Sequence, residues 1–310
     1  MYDIIIIGGG MAGMTAALYC LRNEKKVLIL EKETVGGQIT MSPKVENYPS
    51  FKEISGAELA DRVFDQVTAL GADFELENVV DVTKNEQGFI VTAEYNTYHA
   101  KSVVIATGAK PRKLGLDGED ECIGDGVYYC AICDGPFYKG KNVTVIGDAN
   151  SAMQYALMLA GYCAQVSIIT LFDRFFGEKS LEDAIRSTPN IDVTHNSNGL
   201  SVEKVEDKIN ITFENTRDKT QFVHTTDALF IAIGQVPDNK AFENVVDTDE
   251  AGYVIADESC VTRTDGVFVA GDCRTKNIRQ VATAIGDGAT AATAVCKYLN
   301  TLNQNGNTRT

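Results

Sequence analysis

Two cysteines three positions apart stand in the run Tyr129-Cys130-Ala131-Ile132-Cys133-Asp134-Gly135. At that spacing two thiols can close a small disulfide ring, and the thiolate is the species that attacks in exchange. Asp134 follows directly and could move a proton during exchange, although alone it reads as a turn residue before Gly135-Pro136. A zinc site would need two more ligands. There is no second Cys-x-x-Cys, and His99, His195 and His224 are solitary. The other six cysteines (Cys20, Cys122, Cys163, Cys260, Cys273 and Cys296) lie singly among apolar or small residues and read as buried small hydrophobes.

A second chemical signal is the turn Gly8-Gly9-Gly10-Met11-Ala12-Gly13, set between an apolar strand at 4–7 and a helical stretch reaching about Asn23. Gly8 permits the tight turn, Gly10 lets backbone approach a pyrophosphate, and Gly13 lets helix and strand pack closely. The helix N-terminus offers unpaired amides and positive dipole to phosphates. Glu31, 18 residues past Gly13 at the end of the next strand, is placed to accept from ribose hydroxyls. The turn alone does not separate FAD from NAD.

These signals must be positioned by two similar units. A strand at 143–146, the turn Gly147-Asp148-Ala149-Asn150-Ser151-Ala152 and a helix to about Gly161 repeat the first pattern. Each turn-and-helix is followed by another β-rich run, at 27–30 and 166–169, so the chain holds two βαβ openings. Residues 81–98 alternate apolar and polar and predict a small antiparallel insertion. A buried strand at 102–108 has a near copy at 228–234, and 266–299 reads as a strand leading into a long Ala-rich helix. The polar stretch 301–310 reads as frayed.

Bulk properties narrow the class. At 310 residues the chain is long enough for about two domains. Its net charge of −15, from 28 Lys+Arg against 43 Asp+Glu, argues against nucleic acid and anionic membrane partners. No apolar run approaches a bilayer span. The chain opens straight into a strand with no leader-like segment, so a cytoplasmic location is expected.

Four further segments carry a resemblance. Gly36-Gly37-Gln38, Val45-Glu46-Asn47-Tyr48-Pro49, Ala106-Thr107-Gly108, and Gly271-Asp272 followed by Arg279-Gln280 resemble, in order and spacing, the flavin-binding stations of the low-molecular-weight thioredoxin reductases. The likeness covers nearly the whole chain. It implies an α/β fold of two Rossmann-like nucleotide-binding domains, a three-layer ββα sandwich of the thioredoxin reductase type. The implied domains are a FAD-binding domain in two parts, 1–113 and 240–310, and a central dithiol domain at 114–239 with hinges at 112–116 and 236–242. It implies FAD, with Asp272 on the ribityl chain, Gln38 and Asn47 near the isoalloxazine, and Arg279, Gln280 and Val281 along its polar edge. Met11, Ala12, Lys32, Gly37, Ala106, Thr107 and Gly108 are implied as further FAD positions. It also implies Cys133 facing the flavin, Cys130 attacking the disulfide of thioredoxin, Asp134 as acid–base, and a homodimer.

The second βαβ unit departs from that family. There it binds NADPH through a G-x-G-x-x-A turn and a His-Arg-Arg-x-x-x-Arg run. Here Gly147 and Ala152 remain, but Ala149 fills the middle position, and Thr170, Leu171, Phe172 and Phe176 stand where the His and arginines belong. The 2′-phosphate of NADPH wants bidentate cations, each charge-assisted contact worth roughly 1.5–3 kcal/mol. Arg174 alone is a poor substitute. An NADH site would want an acid near Thr170, and Asp173 comes slightly late. The losses resemble those of ferredoxin-dependent flavin thioredoxin reductases, so ferredoxin is the expected electron donor. Docking an acidic ferredoxin on an acidic chain would need a local basic patch, for which Lys110, Arg112, Lys113, Arg274 and Lys276 are candidates. Two other expectations are an NAD(P)H-dependent thioredoxin reductase with an atypical pocket, and a non-catalytic flavin redox sensor or binding module.

Overall fold

The first strand, β1 (Tyr2–Ile7), is apolar on both sides because both of its faces are covered. Ile4 and Ile6 join the core beneath the helices, while Ile5 and Ile7 join a second core on the opposite face of the sheet. The computed structural model describes residues 1–42 and 44–307 and divides into two compact units, Met1–Lys110 with Val236–Thr310, and Pro111–Gln235.

In the first unit β1 leads through α1 (Met11–Arg22) to β2 (Val27–Glu31), and α2 (Gly56–Ala69) precedes β3 (Asp73–Leu76). An antiparallel meander follows, β4 (Val79–Asn85), β5 (Gly88–Ala93) and β6 (Thr97–Ile105). The predicted insertion is present, but its last strand and the predicted buried strand are one element. Residues 97–100 of β6 pair with β5, and 102–105 pair with β1. A nine-residue strand alternates where one face is wet and turns wholly apolar where both are covered, so its two halves read as different elements.

Through β7 (Ala109–Pro111) the chain reaches the second unit, which begins with α3 (Glu119–Cys122), β8 (Val127–Tyr128) and α4 (Ala131–Asp134). Then come β9 (Asn142–Ile146), α5 (Asn150–Ala160), β10 (Gln165–Ile169), α6 (Lys179–Ser187) and β11 (Ile191–Thr194). The antiparallel β12 (Ser197–Val205), β13 (Lys208–Asn215) and β14 (Gln221–Thr226) form a second sheet, and β15 (Ala228–Ile231) returns to the first. The parallel sheet runs β11-β10-β9-β15-β8. Its strands divide as β1 does: Ala228 and Phe230 pack with α5, Leu229 and Ile231 with the antiparallel sheet. Each unit therefore stacks helices, a parallel sheet and an antiparallel layer, the architecture the repeated patterns led one to expect.

Beyond β16 (Gln235–Pro237) the chain adds β17 (Val267–Val269), paired parallel to β6, and closes with α7 (Val281–Asn307). The tail was expected to fray from Thr301. Instead α7 continues through Asn307, and the last three residues lie outside the described ones. Among the described residues no helix is long and apolar enough to cross a membrane.

Candidate active site: a dithiol and two glycine turns

Cys130 and Cys133 are joined as a disulfide, with Cα atoms 5.3 Å apart. The short helix α4 makes this possible by bringing positions three apart onto one turn. Cys130 precedes the helix in extended backbone, and its sulfur accepts the Cys133 N–H at 3.2 Å. A hydrogen bond aimed at that sulfur favours its thiolate once the disulfide is reduced. Ile132, between the two, is exposed.

Asp134 is buried, and burial raises its carboxyl to about 7. It can therefore hold a proton at neutral pH, beside the sulfurs that need one. Gly135 sits in tight packing: a Cβ there would stand 2.5 Å from the Tyr162 hydroxyl. That hydroxyl is one of two buried side-chain oxygens without a hydrogen-bond partner among the described residues. Nothing in the sequence around Tyr162 pointed to the dithiol, since the contact joins the end of α5 to the turn after α4. Among the described residues no group of three His, Cys, Asp or Glu side chains is placed to hold a metal ion.

The second glycine turn, in the same unit, leaves Ala149 and Ser151 exposed. Residues 171–178 run alongside it. Phe176 N–H donates to the Asp148 carbonyl at 2.7 Å, Phe172 N–H to Asp148 Oδ1 at 3.2 Å, and Glu178 N–H to Asn150 Oδ1 at 2.8 Å. Ala149 forms a parallel bridge with Phe176. The fit is close enough that a Cβ on Gly177 would stand 2.3 Å from Asn150 Oδ1.

Thr170, at the end of β10, is buried and hydrogen-bonded to His195 Nδ1 at 2.7 Å and to the Phe172 carbonyl. Leu171, Phe172 and Phe176 are exposed, with the two phenylalanines packed edge to face. Arg174 stacks over Phe176 and Arg217 pairs with Asp173. Asp173 is thus engaged by a cation of its own chain.

In the first unit the turn is open. Gly8 has φ +113°, and a Cβ would lie 2.3 Å from the Ala106 carbonyl oxygen; at Gly13 it would lie 2.0 Å from the Gly8 carbonyl oxygen. At Gly10 the nearest atom is 3.8 Å away, so only the middle glycine faces free space. Met11 and Ala12 start α1 and are buried. Glu31 accepts Gly9 N–H at 2.6 Å and Glu33 N–H at 2.8 Å, one on each oxygen. An ionised carboxylate retains further lone pairs for ribose hydroxyls. Lys32 is tied to Asp238 at 2.7 Å.

Several of the remaining predicted positions lie against the same turn. Gly36 N–H donates to the Gly9 carbonyl at 2.8 Å, and Gly37 and Gln38 open the 3-10 turn Gly37–Met41. Ala106 N–H donates to the Ile7 carbonyl, Thr107 Oγ1 to Asn239 Oδ1 at 3.2 Å, and Gly108 takes φ +69°. Asn47 Nδ2 meets Gln280 Oε1 at 3.3 Å, and Val281 begins α7. Gly271, at φ +84°, would clash with Ala12 if it carried a Cβ, which brings the Asp272 turn against the start of α1. Arg279 does not reach outward. Its guanidinium binds the Asp272 and Arg274 carbonyls and lies 4.0 Å over the Tyr253 ring.

Asp272 Oδ1 is the second buried oxygen without a partner, and burial raises its carboxyl to about 6. Such an atom is costly unless a donor arrives from a ligand. The orphaned oxygen beside an open glycine turn fits a dinucleotide whose hydroxylated chain passes both. Two residues that no motif announced support this corner. Asn239 is buried and ties Thr107 to the Gly252 and Cys273 carbonyls. Asp287 on α7 binds Gly271 N–H, Arg274 and Lys276. Arg274 and Lys276 are consequently buried, which removes them from any docking patch. Lys110 and Lys113 are exposed but paired with Glu33 and Asp120.

An open dinucleotide turn in one unit and a Cys-x-x-Cys disulfide beside a buried acid in the other define a flavin-dependent disulfide oxidoreductase. Residues 2–288 match the pyridine nucleotide-disulphide oxidoreductase family. The chain is 39% identical over 308 residues to a thioredoxin reductase of Listeria monocytogenes, covering 98% of this chain and 96% of that protein. It is 36% identical over 305 residues to that of Bacillus subtilis, with 98% and 96% covered. The crystal structure of thioredoxin reductase from Streptococcus pyogenes superposes with a TM-score of 0.93 at 35% identity, covering 97% of this chain and 99% of that one. The chain belongs to the low-molecular-weight thioredoxin reductase family, and its cofactor is FAD.

Proposed function

We propose that the protein reduces the disulfide of thioredoxin through Cys130 and Cys133, with electrons delivered by contact with reduced ferredoxin rather than by a nicotinamide. The second half rests on one observation: exposed Leu171, Phe172 and Phe176 flank the turn at 148–150, where the family carries phosphate-binding cations. When bound, FAD supplies the coupling between single electrons and the electron pair a disulfide takes. The first glycine turn, Glu31, Asp272 and the 279–281 segment would hold it, with Gln38 and Asn47 near its ring system.

The sulfur chemistry follows from the dithiol's surroundings. Uptake of an electron pair breaks the Cys130–Cys133 bond. The Cys130 thiolate, favoured by the Cys133 N–H, attacks one sulfur of the thioredoxin disulfide, and the other partner sulfur leaves with the proton that Asp134 holds. Cys133 then attacks Cys130, re-forming the ring and releasing the second thiol of thioredoxin. Exposed Ile132 lies where a partner would touch the dithiol. We place the protein in the cytoplasm as a homodimer, a setting in which six unpaired buried thiols stay reduced.

The family's own name favours a pyridine nucleotide donor. Anaerobic mixing separates the two readings. Reduced ferredoxin should bleach the visible flavin band and then support thioredoxin reduction, while NADPH and NADH leave the band unchanged. Prompt bleaching by either nucleotide would establish the other donor. A Cys130→Ser protein that kept all function would instead indicate a flavin sensor.

A further inference from the structure

Helices α1 and α7 meet along a seam of small side chains. Ala12, Ala16 and Cys20 recur at four-residue intervals on one helix, Gly288, Ala292 and Cys296 at the same interval on the other, and all six are buried. The backbones come close at one end, where a Cβ on Gly288 would stand 2.3 Å from the Ala12 carbonyl oxygen. Eight residues further along each helix, about 12 Å of rise on both, the seam ends in Cys20 and Cys296. Their thiols neighbour each other in the same buried cluster. Cys20 is sealed in the core, whereas Cys296 lines a cavity of about 390 Å³ with Asn23, Thr293, Lys297, Asn300 and Thr301.

The pair divides one proton unequally. The neighbouring Cys20 thiol, helped by the Lys25 charge, outweighs burial and lowers the Cys296 thiol. The same contact, with burial, pushes Cys20 up. The sulfur facing the cavity is the more acidic of the two, and the sealed one keeps its proton longer.

We propose that Cys20 and Cys296 form a second dithiol, an oxidation site where a small hydroperoxide entering that cavity closes a disulfide between the first and last helices. The Cys296 thiolate attacks the terminal peroxide oxygen. An S–O bond forms, the O–O bond breaks, and the alkoxide or hydroxide leaves as alcohol or water with the Cys20 proton. Cys20 then attacks the sulfenic sulfur, the S–S bond forms, and the hydroxyl departs as water after taking a proton from solvent. Two thiols are oxidised to one disulfide and one peroxide is reduced. Because α1 begins at the open glycine turn, the new bond fastens the FAD cradle to α7.

The test uses the reduced, FAD-loaded protein with a small molar excess of hydrogen peroxide, alkylation by N-ethylmaleimide, digestion and mass spectrometry. The expected product is a peptide pair linked through Cys20 and Cys296. Two alkylatable thiols should be lost beyond Cys130 and Cys133, dithiothreitol should restore them, and the oxidised protein should retain FAD to a higher temperature. Cys296→Ser should lose the linked peptide and the thermal gain while reducing thioredoxin at the parent's rate. Fully alkylated Cys20 and Cys296 at peroxide levels that close Cys130–Cys133, or Cys296 carried to sulfinic acid, would overturn the proposal. The wild-type digest decides this without any variant, because it resolves the two disulfides separately.

Discussion

The two glycine turns solve the same packing problem and then part ways. Each begins with a glycine pressed on a neighbouring carbonyl: a Cβ on Gly8 would stand 2.3 Å from Ala106 oxygen, and on Gly147 2.5 Å from Ala232 oxygen. Each passes from a buried strand into a helix. At the middle position both are bridged to the loop after the next strand, Gly10 to Gly36 and Ala149 to Phe176, but only Ala149 carries a methyl group and only its loop presents exposed phenylalanines. Fold and ligand thus make separate demands on the motif. The first position serves strand-to-helix geometry and is glycine in both units; the middle position serves a pyrophosphate and is glycine only in the first. On the proposed reading, the second unit keeps its shape as a platform for Cys130 and Cys133.

If the second unit retains only its dithiol, Cys130→Ser should cut thioredoxin reduction at least about a thousandfold while leaving bound FAD unchanged by its visible absorbance. Asp134→Asn sharpens the same point at the proton. Turnover should fall about a hundredfold. The carboxyl is protonated below about 7 and loses its proton as pH rises through that value, so the wild-type exchange rate should decline there. The Asn variant should lack that decline in a pH–rate profile.

Paired alanine substitutions address the turns directly. Gly8→Ala should lower FAD content to about a tenth, read as the ratio of flavin to protein absorbance. Gly147→Ala, equally strained, should destabilise the fold in thermal melts yet keep its FAD; equal flavin loss in both would break the contrast. The smallest effect belongs to Ala149→Gly. Restoring the family's glycine should leave NADPH unable to bleach the flavin, because Leu171, Phe172 and Phe176 still offer no cation to its 2′-phosphate.

Much of this was legible because local rules and tertiary demands agree. The strand-glycine-helix pattern located both turns, and the dithiol spacing located the ring. The absent cations at Thr170, Leu171, Phe172 and Phe176 were readable, but the hydrogen bonds of their loop to the turn were not. Those depend on Asp148 and Asn150 reaching backbone groups more than twenty residues away, a pairing without sequence periodicity. Arg274 and Lys276 looked like surface charge because lysine and arginine usually are. Their burial follows from Asp287, in the second turn of α7, supplying both oxygens at once. Asn239 and Tyr162 were invisible for the same reason: each acts through a contact that only the folded chain creates.

Calorimetric titration of the oxidised flavoprotein with NADPH tests the central claim most directly, since it reads nucleotide binding without requiring electron transfer. With a methyl group at Ala149 and no cations at Thr170, Leu171, Phe172 and Phe176, no saturable heat should appear up to millimolar nucleotide. A single-site isotherm with micromolar Kd, abolished by a charge introduced at Ala149 (Ala149→Asp), would contradict it.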